Sequence, residues 1–126
     1  MTGASGLVGS TLVAELEAAG HRPEPLLRGG EHRVTSPWWD PAAGKIDGLG
    51  LEGFDAVVHM AGEGIAEGRW SAAKMRRIRE SRVAGTRLLC EALASRRDKP
   101  SVLVCASAIG YYGDRGGAVM EETDPG

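Results

Sequence analysis

Thr2-Gly3-Ala4-Ser5-Gly6-Leu7-Val8-Gly9 stands near the start of the chain, its glycines three residues apart and leading straight into a helical pattern. From Leu7 to Ala19 the apolar residues Val8, Leu12, Val13 and Leu16 recur on one helical face, and Gly20 is placed to end it. Glycines at the mouth of a helix have a chemical use. A diphosphate must approach the backbone closely there, where unpaired amides and the helix dipole favour an anion. Side chains at positions 3, 6 and 9 would block that approach or hold the helix off the sheet. Glycine spacing alone is a weak signal in a chain with 19 glycines in 126 residues. What gives it weight is its place at the start of a helix and ahead of two apolar strands.

Outward from this turn the element types alternate. Leu26 and Leu27 lie in a short extended segment that ends at Arg28, and Pro23 and Pro25 remove amide donors on one side of it. Val34 to Asp40 reads as another short strand, followed by a Gly-rich connection from Gly44 to Gly53. Phe54 to Ala61 (FDAVVHMA) has the compact apolar pattern of a strand buried on both faces. A long helix is expected from about Ser71 to Ser95, with Ser71 as N-cap and Met75, Ile78, Val83, Leu89 and Leu93 at helical spacing. Its Lys and Arg residues read mostly as a solvated face. Val102 to Ala106 reads as a second buried strand, and Gly110 to Gly126 is turn-rich and acidic. This order predicts one α/β domain built on a parallel sheet.

Composition narrows the partners. A net charge of −2 provides no basic excess for nucleic acid or an anionic membrane surface. No apolar stretch approaches the ~20 residues a membrane span needs, and no secretion signal opens the chain. Cys90 and Cys105 sit among apolar neighbours without metal-ligand spacing, so no metal site is expected and both read as inert buried thiols. A cytoplasmic protein is the expectation.

Four motifs occur in order: TGASGLVG, HMAG at His59 to Gly62, SRVAGTRLL at Ser81 to Leu89, and SAIGYYGDRG at Ser107 to Gly116. Together they resemble the NAD(P)-dependent epimerase/dehydratase family, the extended short-chain dehydrogenases/reductases. Arg69-Trp70, the SRVAGT segment and the doubled tyrosine resemble its atypical "epimerase family protein" branch, whose members carry a small C-terminal domain of unknown function. The resemblance implies a doubly wound parallel sheet of the Rossmann type, with residues 1–126 forming the N-terminal part of one NAD(P)-binding domain. It implies a diphosphate loop at Gly3, Gly6 and Gly9, with Ser5 and Leu7 contributing to the turn. Ala61 and Gly62 match the approach to the nicotinamide-side ribose, and Ser107 matches the catalytic Ser/Thr that hydrogen-bonds a substrate hydroxyl or carbonyl. Arg28 matches the position that reads the adenosine ribose, where an acidic residue would accept from a 2′-hydroxyl and an arginine favours a 2′-phosphate. NADP is therefore expected over NAD, the bland alternative being a solvated loop arginine. His59 reads as a polar residue at a strand end, with no ligand partner near it in sequence.

The chain departs from the family pattern twice. Only Met1 precedes Thr2, so the central first strand is largely missing, and the chain reads as a fragment truncated at both ends that would fold poorly by itself. The family's Tyr-x-x-x-Lys pair, in which a tyrosine serves as acid/base beside an ammonium, has no counterpart: Tyr111 is followed four places on by Arg115, and Tyr112 by Gly116. Two functions stay open at this stage. One is the cofactor-binding part of an oxidoreductase or epimerase-like enzyme passing hydride to or from an unidentified small-molecule alcohol or carbonyl. The other is a non-catalytic NADP-binding regulator. Substrate and oligomeric state are not legible.

Overall fold

The computed structural model describes residues 1–29, 36–66, 68–108 and 110–126. Their elements run α1 (Leu7–Ala18), β1 (Leu27–Arg28), β2 (Trp38–Asp40), β3 (Lys45–Ile46), a 3₁₀ turn (Leu49–Leu51), β4 (Ala56–His59), α2 (Ala72–Ala94) and β5 (Val102–Cys105). Val34 and Thr35, which open the second expected strand, lie outside the described residues.

Local chemistry sets the helix ends. Gly20 adopts φ +85° past the end of α1. Its amide donates to the Glu17 carbonyl at 3.0 Å and that of His21 to the Leu16 carbonyl at 2.9 Å, the paired bonds of a glycine C-cap. At the start of α2 the Ser71 hydroxyl accepts from the Lys74 amide at 3.2 Å, as its sequence position predicts.

The strands form two groups. β1 pairs parallel with β2, and β3 runs antiparallel along the outer side of β2. β4 and β5 pair in parallel, from Ala56 opposite Val102 to His59 opposite Cys105. Met1 and Thr2 join the groups. The Leu26 amide donates to the Met1 carbonyl at 2.7 Å, and the Thr2 amide to the Val58 carbonyl at 2.9 Å. The resulting order is β3-β2-β1, then Met1–Thr2, then β4-β5, a doubly wound arrangement whose central position is held by two residues. Pro23 and Pro25 precede the first paired amide of this region, that of Leu26, so their missing donors cost the sheet nothing.

The core is Leu26, Trp39, Leu51, Val57, Leu89 and Leu93, with Ile46, Ala61, Leu88 and Ala92 packed against it. Gly85 of α2 lies over the Trp39 ring, where a Cβ would meet the indole at 3.6 Å. Only part of α2 packs. Twenty-three residues at ~1.5 Å each make a helix of roughly 34 Å, whereas four-residue strands at ~3.3 Å each span about 13 Å. Leu89 and Leu93 are buried, while Met75 and Val83 nearer the N-terminal end are exposed.

Several sequence expectations are corrected here. β4 is buried on one face: Val57 and His59 are covered, whereas Ala56 is exposed and Val58 half-buried. β5 is exposed along its whole length, with Val102, Leu103 and Val104 each more than 40% accessible. Among the described residues β4 is its only strand neighbour, and the core lies on the β2 and β4 side. Cys105 is consequently exposed and Cys90 half-buried, so neither is a buried thiol. The Gly-rich connection holds β3 and the 3₁₀ turn. The chain reverses there because the Asp40 carboxylate accepts from the amides of Ala42 and Ala43, both at 3.1 Å, and Gly44 takes φ +66°.

Leu89 is fully buried and Leu103 is 42% exposed, so their truncations separate core from periphery. Leu89→Ala is expected to lower the free energy of unfolding by ~2–4 kcal/mol, and Leu103→Ala by less than about 1 kcal/mol. Urea denaturation of the two variants measures this, and equal losses would place β5 in the core.

Candidate functional site

The glycine turn follows directly from the sheet. Thr2 ends its pairing beside His59, and Gly3 turns the chain with φ +71°. A Cβ on Gly3 would meet the Met60 carbonyl carbon at 2.8 Å and the Ala61 nitrogen at 2.9 Å, so only glycine fits against the end of β4. The Gly3 carbonyl accepts the Gly6 amide at 3.0 Å, and Gly6 is the N-cap of α1 in extended conformation. Gly9 is buried beneath this turn, where a Cβ would collide with the Gly3 carbonyl. Gly6 differs: its Cβ would have only the Gly3 oxygen nearby, at 3.3 Å. The amides of the first helical turn point past it without side-chain caps.

Facing the turn is a cleft of about 600 Å³ at the C-terminal ends of the strands. Gly3, Ala4, Ser5 and Gly6 form one wall, Pro25 to Arg28 a second, and Met60, Ala61 and Gly62 a third, with Val13 and Trp39 between. The fold thus brings together six of the sequence-derived residues: Gly3, Ser5, Gly6, Arg28, Ala61 and Gly62. It does not bring in the Leu7 side chain, which is 91% exposed, and Gly9 acts beneath the turn. Ser107 lies in an adjoining cavity of about 240 Å³ that shares Met60 and Ala61 with the cleft.

Thr2 positions the third wall, a role missed at the sequence level. Its hydroxyl oxygen accepts from the amides of Met60 and Ala61, each at 3.2 Å, and lies 2.6 Å from His59 Nδ1. A hydroxyl has one proton and two lone pairs, so with both lone pairs engaged it donates to Nδ1. His59 is then the tautomer protonated at Nε2, which donates to the Thr86 hydroxyl of α2 at 3.1 Å. The ring stands edge-on to Trp39 with centroids 5.8 Å apart. Burial pushes the His59 pKa below the usual 6.5. The one available signal was the small polar residue beside the first glycine, next to a strand ending in His.

The loop beyond Gly62 is tied to α2. The Glu63 amide donates to the Ser81 hydroxyl at 2.9 Å, Arg82 Nη1 donates to the Glu63 carbonyl at 3.2 Å, and Arg77 pairs with the Glu63 carboxylate at 3.4 Å. Among the described residues no helix is long and apolar enough to cross a membrane.

This arrangement is shared with known proteins. A model of the NAD dependent epimerase/dehydratase family matches residues 1–126. The chain is 38% identical over 124 residues to epimerase family protein Mb2239 of Mycobacterium bovis, covering 98% of this chain and 40% of that protein. It is 32% identical over 127 residues to epimerase family protein SDR39U1 of Homo sapiens, covering 98% and 41%. A crystal structure of the human SDR39U1 protein (isoform 2) with NADPH superposes with a TM-score of 0.78 at 29% identity, covering 99% of this chain and 41% of that one. The chain therefore spans about two fifths of the length of these relatives.

The neutral, buried His59 makes stability depend on pH. Its folded pKa lies below the unfolded value of 6.5, so the unfolded chain takes up the proton first as pH falls. The contribution is whole above pH 6.5 and is lost as pH drops from there through the lowered folded value. Urea midpoints are expected to fall between about pH 7.5 and 5.5, and His59→Gln should flatten that fall. A midpoint constant across the interval would show that the ring is not held neutral.

Proposed function

The chain belongs to the NAD dependent epimerase/dehydratase family, and from that premise we propose that its cleft binds NADP(H) in a protein that transfers hydride to or from an alcohol or carbonyl. The carrying observation is the contrast among the three glycines. The chain itself requires glycine at positions 3 and 9, where a Cβ would strike backbone. At position 6 the protein supplies a single contact at 3.3 Å, and the residue lines the cleft at the N-terminus of α1. A glycine there serves a ligand that must come close to the backbone, as a diphosphate does at a helix start. The NADPH carried by the human relative's structure supports the same identity for the ligand.

In this reading Gly3, Ser5, Gly6, Leu7 and Gly9 build the diphosphate turn, Leu7 through its amide. Arg28 takes the 2′-phosphate from the end of β1, where the described residues lining the cleft include no acidic side chain to compete for a ribose hydroxyl. Ala61 and Gly62 border the nicotinamide-side ribose, and Ser107 holds the substrate oxygen in the adjoining cavity. The cofactor would supply or accept hydride at the substrate carbon. Thr2, through the Met60 and Ala61 amides, keeps the cleft wall in register with the glycine turn.

Two substitutions test this by calorimetry with NADPH and NADH. Gly6→Val is expected to weaken NADPH binding at least a hundredfold while the fold is kept, because its side chain enters cleft space rather than backbone; wild-type affinity in a folded Gly6→Val protein would remove the turn from the site. Arg28→Asp is expected to reverse a preference for NADPH into one for NADH. Equal affinities for both cofactors, unchanged by the substitution, would remove Arg28 from the site.

A further inference from the structure

The cavity holding Ser107 is bounded by the ends of β4 and β5 and, from α2, by Arg82 and Thr86. Among the described residues Arg82 is the one lining residue with a permanent charge. His59, the other titratable base there, is 3% exposed and has both ring nitrogens engaged by threonine hydroxyls.

The guanidinium is held in a defined way. Nη1 donates to the carbonyls of Glu63 and Ile78, both at 3.2 Å. Its plane lies so near the backbone at Gly62 that a Cβ there would meet Cζ and Nη1 at 3.2 Å. No acceptor for Nε or Nη2 is found among the described residues. Those two nitrogens form the edge of the fork that takes a carboxylate or phosphate side-on through parallel hydrogen bonds. Arg77, five residues earlier on α2, is not equivalent, because its Nε is paired with the Glu63 carboxylate.

We propose that Arg82 is a specificity-determining residue that binds an oxyanion of the substrate, a carboxylate or a phosphate, in the cavity where Ser107 faces the reacting oxygen. This rests on the reading of Ser107 as the residue that holds the substrate oxygen. The substrate class is therefore an acidic carbonyl or alcohol compound of a size suited to about 240 Å³. A cavity whose only fixed charge among the described residues is an anchored arginine favours the anion over its neutral analogue, since the charge-assisted bonds are lost with the charge.

The test titrates the protein, with and without NADPH, with matched pairs differing in that charge: benzoylformate against methyl benzoylformate for a carboxylate, and dihydroxyacetone phosphate against dihydroxyacetone for a phosphate. Calorimetry is expected to show at least a tenfold preference for the anion in one pair, and Arg82→Gln to abolish it. In the unmutated protein the Arg82 Nε–H resonance should shift on titration with that anion, a readout independent of how the variant folds. Equal binding within both pairs, a preference that survives Arg82→Gln, or an unmoved Nε–H resonance would each overturn the proposal. Failure of NADPH itself to bind would overturn the cofactor reading instead, and the titrations without NADPH would still decide Arg82.

Discussion

One oxygen atom holds the cleft end of this molecule together. The Thr2 hydroxyl sits where the two strand groups meet and is fully buried. Its two accepted bonds fix the amides that follow β4, and its donated bond fixes the ring of His59. Through that ring the constraint reaches Thr86, so sheet seam, cleft wall and covering helix are referred to a single side chain. Valine, of similar shape, would leave the part-buried Ala61 amide and one imidazole nitrogen unpaired, and the Met60 amide with only its 3.4 Å bond to the backbone carbonyl at position 2. Unmet groups of that kind cost ~1–3 kcal/mol each, so the arrangement tolerates no apolar substitute.

The glycine turn is a consequence of this seam. With Thr2 held against β4, the next residue has to leave the sheet at once and close against Met60 and Ala61, which only a residue without a side chain can do. Its carbonyl then sets the N-cap of α1, and Gly9 passes beneath. Sheet and glycine turn are thus one unit. The cleft lies at the C-terminal ends of the strands, where the chain leaves the centre toward β1 and later returns on the other side to β4, the crevice that doubly wound sheets use for ligands.

Much of this was legible in the residues, for reasons that differ by element. The glycine turn, the Gly20 cap and the Ser71 cap depend on local chemistry, and local chemistry is written in sequence. Gly3, Ser5, Gly6, Arg28, Ala61 and Gly62 converge because the motifs carrying them end strands of one sheet. Burial was less legible, since it depends on what lies opposite. Val102 to Cys105 has the composition of an interior strand and sits exposed, because nothing among the described residues covers it. The two residues of β3 were too few to show a period, and their pairing comes from the Asp40 turn. Thr2 and Arg82 escaped notice because their importance lies in partners 57 to 59 and 19 residues away along the chain.

Trp39 occupies a position with an optical consequence. Its indole is 2% exposed, borders the cleft, and meets the edge of the His59 ring. Trp70 is 59% exposed on the loop before α2 and hydrogen-bonds the Ile65 carbonyl, far less shielded from water. Of the three indoles, Trp39 is therefore expected to emit furthest toward the blue and Trp70 furthest toward the red, with the half-buried Trp38 between them. A charge appearing on the adjacent imidazole or a molecule filling the cleft changes the field around Trp39 first. The fold carries a fluorophore at the junction of its seam and its cleft, so events there are readable by light without a label.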